Sequence, residues 1–319
     1  QEVDDIFLNE DTNIFDLEAA KRQKTRLLQG EKTGTPVILF DDGEGVKHEF
    51  TDKMPISNFP LKHTDLKDAP VVIYEFPIEN PPYGLYVAGI DPYRQGKSAY
   101  STSLGSIYIY KRMHAIAGEK YQDMFVASYC ARPEKKETWD EQARLLIKYY
   151  NARALCENDE ISFIDYMISK GDAHYLERQP EWLKEIVPNT TVRRDYGIHR
   201  SSSKVRDFLH GCLKKYTEDV IHTELDDEGE VLSSVKGMAK ILDPVLLEEM
   251  IQYNETGNFD RIIAAELAIG LAMKLDPIMG RVGDKEDARL TSLFKTNKKN
   301  ILFTESRNLF GRKKNKLFS

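Results

Sequence analysis

The sequence is short of cysteine, of long apolar runs and of excess positive charge. Its 319 residues hold three cysteines, Cys130, Cys156 and Cys212. They are widely spaced and form no CxxC pair, so neither a disulfide framework nor a zinc site of ordinary spacing is expected. Their surroundings are apolar, which predicts buried, reduced thiols and fits a cytosolic protein. No apolar stretch reaches the ~20 residues that cross a bilayer, and the acidic opening Gln1-Glu2-Val3-Asp4-Asp5 lacks a signal-peptide layout. The formal net charge is -7, so no global positive field draws the chain to nucleic acid. Any such role needs Lys and Arg concentrated in one place.

What is present is enough apolar sequence, 41% of residues, for one sizeable core with appendages. Residues 1–70 are polar and turn-rich, with a helical stretch from Asp16 to Leu28 and short strands at Val37–Phe40 and Val46–Phe50. They read as an N-terminal linker segment packing on a main domain. From Val71 the pattern tightens. A β-rich run at Val71–Phe76 is followed by Leu85–Ile90, nearly all apolar as in a strand covered on both faces. Ser106–Arg112 and Met124–Cys130 continue an antiparallel meander. Thr138-Trp139-Asp140-Glu141 reads as a capping box opening a helix whose apolar stripe is Trp139, Ala143, Leu146 and Tyr150. The short strand Arg153–Cys156 follows, and its strand–helix–strand context implies a parallel partner. The next helix places Ile161, Ile164 and Ile168 on one side and stops at Gly171. Later come a helical face (Val205, Phe208, Leu209, Cys212, Leu213, Tyr216), a hairpin turning at Asp227-Glu228-Gly229, and helices at Pro244–Tyr253 and Phe259–Leu275. Residues 277–319 are basic and poor in pattern, with Lys313 and Lys314 near the end and Phe294, Phe303, Phe310 and Phe318 interspersed. They read as a flexible tail with room for a docking role.

Three carboxylates conflict with this layout. Asp91 and Glu157 each end an apolar strand, and Asp260 lies above Ile263, Ala264, Leu267 and Leu271 on the buried side of a helix. Taken singly, each has a bland explanation: a helix-terminal charge for Asp260, a turn before Pro92 for Asp91, a surface ion pair for Glu157. Taken together they make one site if the two strands are parallel neighbours and the helix crosses their ends. Three convergent carboxylates repel one another and call for hard cations, Mg²⁺ or Mn²⁺. Two such ions, ~4 Å apart and bridged by Asp91, can activate water and stabilise the leaving oxygen of a phosphodiester. The run from Asp91 to Lys97-Ser98 ends like a phosphate-binding loop. It has Asp91 where that loop needs glycine, and strand-like sequence where it needs a helix.

The chain resembles the nuclease domain of tailed-phage terminase large subunits. The resemblance rests on Tyr86-Val87-Ala88-Gly89-Ile90-Asp91-Pro92, Ala154-Leu155-Cys156-Glu157-Asn158, and Gly257-Asn258-Phe259-Asp260-Arg261 running into an Ala-rich helix. Tyr196-Gly197-Ile198 through Ser203-Lys204, Leu246–Met250 and the opening residues to Leu8 also match. Many members place a second Asp beside the third acid, where this chain has Arg261. The resemblance implies an α/β, RNase H-like mixed sheet flanked by helices over 71–276, related to resolvases and retroviral integrases. It implies a two-metal endonuclease that cleaves concatemeric double-stranded phage DNA during genome packaging, in the cytoplasm of the host cell. The implied partners are an upstream ATPase domain, a portal protein and a small terminase subunit, with no membrane. Another RNase H-like DNA enzyme, of resolvase or transposase type, or a non-catalytic DNA-binding module would share many of these features.

Phosphate contacts are expected from the basic cluster Arg193, Arg194, His199, Arg200, Lys204 and Arg206. Lys204 stands first because the resemblance also marks it, followed by Arg200 and Arg194. Lys97 stands either near the acids, as a further phosphate contact, or in a solvated loop, and Lys111 and Arg112 are weaker candidates.

Overall fold

A computed structural model describes residues 13–30, 34–94, 101–113, 122–187, 195–225, 230–254 and 257–275. Lys97, Arg193, Arg194, the turn at 226–229 and the tail 277–319 lie outside the described residues.

The first helix, α1 (Leu17–Leu28), starts where the Asp16 side chain accepts from the Ala19 amide, one of the donors a helix start leaves unsatisfied. Seven strands follow: β1 (Thr35–Asp41), β2 (Val46–Phe50), β3 (Val71–Ile73), β4 (Tyr86–Asp91), β5 (Gly105–Lys111), β6 (Met124–Ala131) and β7 (Arg153–Cys156). They form one mixed sheet in the order β2-β1-β3-β6-β5-β4-β7. Every pairing is antiparallel except β4 with β7, which is parallel. The crossover from β6 to β7 is helix α2 (Lys136–Tyr149). β1 and β2 extend the sheet beyond β3.

Strands β4, β5 and β6 are buried along their whole length because helices cover both faces. On one face Trp139 of α2 lies against Gly105 and donates to its carbonyl at 3.1 Å. On the other lies α7 (Asp260–Lys274), packed on β4 and β5. Between them in sequence come α3 (Ser162–Ser169), a short α4 (Leu183–Ile186), α5 (Ser203–Glu218), the hairpin β8 (Val220–Leu225) and β9 (Val231–Lys236), and α6 (Pro244–Ile251). The chain is therefore an α/β protein built on a mixed seven-stranded sheet flanked by helices. The three cysteines are free and buried. Among the described residues no helix is long and apolar enough to cross a membrane.

Two local expectations need correction. Helix α2 begins at Lys136, with no side-chain cap at Lys135, so Thr138 is not the cap residue. The charged residues of that segment are engaged elsewhere: Lys136 bonds Asp140, and Glu141 accepts from Arg144 and Tyr166. In α3 the buried face is Phe163, Ile164 and Met167, while Ile161 and Ile168 are exposed. The isoleucine spacing gave a helical period but the wrong phase.

Candidate active site

The site begins with a missing side chain. A Cβ on Gly89 would lie 2.0 Å from the Ala264 carbonyl oxygen and 2.3 Å from the Ala268 amide nitrogen. Glycine on β4 and alanines on α7 thus allow strand and helix backbones to touch. Side chains two apart on a strand share a face, so Asp91 projects from the same face as Gly89, toward the start of α7, where Asp260 stands.

The second acid is placed by the sheet. Ile90 pairs with Cys156 across the parallel β4–β7 ladder, and the Glu157 amide donates to the Ile90 carbonyl at 2.8 Å. The segment 196–198 then lies along the end of β7. Ile198 donates to the Cys156 carbonyl at 2.9 Å, and Asn158 donates back to Ile198 at 3.0 Å. Gly197 permits this approach: its φ is +78°, and a Cβ there would sit 2.4 Å from the Cys156 oxygen.

Asp91, Glu157 and Asp260 line one cavity of about 310 Å³. Asp91 and Asp260 are only 8% and 7% exposed. Burial, reinforced by the charges of Glu157 and Asp260 and by a hydrogen bond with Glu157, holds the Asp91 carboxyl well above the usual carboxylate range. Burial pushes Asp260 up to about 6. Its own hydrogen bonds oppose that rise: the Leu104 amide donates to Oδ2 at 2.7 Å, Asn258 Nδ2 to Oδ2 at 3.0 Å, and Ser103 Oγ to Oδ1 at 3.3 Å. Burial of this kind favours the protonated form of a carboxyl unless a cation compensates its charge. An oxygen-only donor set of this kind suits a hard divalent cation better than a soft one. Among the described residues no three acidic, histidine or cysteine groups already converge on a single ion position.

Behind Glu157 lies a buried polar chain that the sequence pattern did not reveal. Arg200 bonds Glu266, which is fully buried on α7, and its Nη1 lies 3.9 Å from Glu157 Oε1. Glu266 also meets His210, whose Nε2 shares a 3.0 Å hydrogen bond with Tyr253 Oη. Arg200 was expected at the DNA surface. Instead it is buried and supplies counter-charge to Glu157 and Glu266. Lys111 and Arg112 are corrected likewise. Lys111 is buried against Glu75, and Arg112 donates to the carbonyls of Gly84 and Leu275 at 2.9 and 3.0 Å. Lys204 is exposed on the first turn of α5. His199 pairs with Asp159 at the cavity, and Arg206 bonds the carbonyls of Arg200 and Ser201.

Arg261, next to Asp260, pairs with Glu249, and its charge also opposes the rise of the Asp260 carboxyl. Its Nη1 donates to Glu249 Oε1 at 3.0 Å. Glu249 Oε2 accepts the amides of Arg261 and Ile262 at 3.1 and 3.2 Å, so a buried carboxylate from α6 caps α7 and fixes the turn that carries Asp260. Burial pushes Glu249 up to about 7.

Two cationic side chains in the cavity wall were not anticipated, Arg94 and Arg132. Each is a lone Arg just past the end of a strand, and neither lies in a basic cluster. No protein-family profile matches the chain, and no curated protein matches it in sequence.

Proposed function

We propose that this chain is a metal-dependent endonuclease acting on double-stranded DNA, RNase H-like in fold and of the type found in the large terminase subunits of tailed phages. One observation carries the reading. Acids ending two strands paired in parallel, and a third at the start of the helix laid across them, line a single cavity. The strand order β6-β5-β4-β7, antiparallel until its last, parallel pairing, supports the RNase H-like assignment.

Asp91 would be shared by two divalent ions, with Glu157 on one and Asp260 on the other. Asp91 is hydrogen-bonded to Glu157, and Asp260 accepts from the Leu104 amide on its other side. When bound, such ions lower the pKa of a water nucleophile and stabilise the leaving oxygen of the phosphodiester. The residues of the chain do the rest. Burial keeps bulk water from the acids, Glu249 and the Leu104 amide orient Asp260, and Arg200 balances Glu157 until the site is loaded. Work on concatemeric genomes in the host cytoplasm, with an upstream ATPase domain, a portal and a small terminase subunit, belongs to the same proposal.

Supercoiled plasmid incubated with the purified chain and Mn²⁺, Mg²⁺ or EDTA tests it. Cleavage is expected with either ion, none in EDTA, and none by Asp91→Ala. Equal cleavage by both proteins would remove the acids from the reaction.

A further inference from the structure

Beside the three acids, the cavity wall carries two guanidinium groups, those of Arg94 and Arg132. Arg132 follows β6 and is tightly oriented. Its guanidinium lies 4.4 Å from the centroid of the Tyr93 ring. Its Nη1 donates to the Ser103 carbonyl at 3.0 Å and its Nη2 to the Arg94 carbonyl at 3.1 Å. Ser103 in turn donates through Oγ to Asp260. One residue therefore fixes the position of Arg132 relative to the third acid. Arg94 stands three residues after Asp91 at the rim, half-exposed, with Nε 3.8 Å from Glu160 and Nη2 3.5 Å from the Asp159 carbonyl. Its loose, solvent-facing ion pair is one that a phosphate can replace at little cost.

We propose that Arg132 and Arg94 form a phosphate clamp on the acid cavity. Arg132 takes non-bridging oxygens of the phosphodiester lying over Asp91 and Asp260, and Arg94 takes the neighbouring phosphate at the rim. Three carboxylates repel a polynucleotide backbone. A cavity that receives one needs cations in its own wall as well as bound metal, and a guanidinium fixed over an aromatic ring and by two carbonyls holds its charge in place to meet a phosphate. The clamp rests on the nuclease reading for its substrate, and it adds phosphate contacts at the ends of β4 and β6 to the exposed Lys204.

The test uses the full chain and a fluorescein-labelled duplex oligonucleotide, with Ca²⁺ in place of Mg²⁺ to hold back cleavage. Binding is followed by anisotropy across a range of salt. Arg132→Ala and Arg94→Ala are each expected to weaken binding about tenfold and to lower the slope of log K against log salt by ~0.9, the value for one lost phosphate. Arg132→Lys should recover the slope but only part of the affinity, since an ammonium keeps the charge but cannot donate to both the Ser103 and Arg94 carbonyls while lying flat on Tyr93. Mn²⁺ binding should stay within about twofold of wild type in all three, which separates a clamp from general damage to the acids. Should Arg132→Ala unfold, Arg94→Ala and Arg132→Lys carry the test. Wild-type affinity and slope in the Ala variants would overturn the clamp, as would a wild type that binds no DNA. Loss of binding in the variants of a protein that never cleaves would leave the clamp standing and sink the nuclease reading instead.

Discussion

Gly89 and Ala264 meet backbone to backbone, with only 2.0 Å between the Ala264 oxygen and the place a Gly89 Cβ would occupy. Asp91 and Asp260 share a cavity because of this contact: any larger residue at position 89 pushes α7 away from β4. Gly89→Ala is therefore expected to destabilise the protein by about 1–3 kcal/mol or more, as overpacking does, and to weaken Mn²⁺ binding as well. Gly211→Ala on α5 is the control, since a Cβ there meets nothing within 4 Å. It should gain up to ~1 kcal/mol from helix propensity and leave metal binding unchanged. Urea unfolding and Mn²⁺ titration of both variants would show the contrast.

Arg200 and Glu266 should behave as one unit. Removing either partner of a buried ion pair strands the other charge, at a cost of about 3–5 kcal/mol. Glu266→Leu and Arg200→Met are each expected to lose stability on that scale, and the double variant to lose less than the sum of the two. Denaturant midpoints for the four proteins would test this. Additive losses would mean that the pair is not coupled.

Stability of the metal-free protein should depend on pH in a direction set by the raised carboxyls. Asp260 titrates at about 6 in the fold, and Asp91 is also raised, whereas an unfolded Asp titrates near ~3.9. Between those values the folded state binds more protons than the unfolded one. The Asp260 contribution is thus complete below about pH 4 and is lost as pH rises through about 6, and Asp91 acts in the same direction. Melting temperature in EDTA should fall over this range, with a shallower fall in Asp260→Asn. Mn²⁺ should remove much of the loss, because the ion replaces the protons. A melting temperature in EDTA that rises from pH 4 to 7 would contradict these shifts.

Much of this arrangement was legible in the sequence. Apolar runs ending in Asp91 and Glu157 marked two strands with acids at their ends, and the strand–helix–strand order implied a parallel partner for β7, which the structure gives as β4. Of the stripe read as the buried side of α7, Ala264, Leu267 and Leu271 are buried and Ile263 only partly so, while Ile262, Ala265, Glu266 and Ile269 are buried as well. Other features were hidden because spacing along one element does not show what covers it. Arg200 reads as a surface cation until Glu266, sixty-six residues on, is found buried against it. The start of α2 was displaced because Thr138 and Glu141 satisfy the capping pattern, while the acids of the region are engaged by ion pairs from Lys136 and Arg144 and by a hydrogen bond from Tyr166. Arg94 and Arg132 carry no local signal. They meet because β4 and β6 flank β5, a fact of sheet order.

The most direct test of the central claim is calorimetric titration of Mn²⁺ into the wild type and into Asp91→Asn, Glu157→Gln and Asp260→Asn. A shared two-ion site predicts two bound ions in the wild type, one retained when Glu157 or Asp260 is replaced, and none of comparable affinity when Asp91 is replaced. Unchanged stoichiometry and affinity in all three variants would show that these acids do not form a metal site.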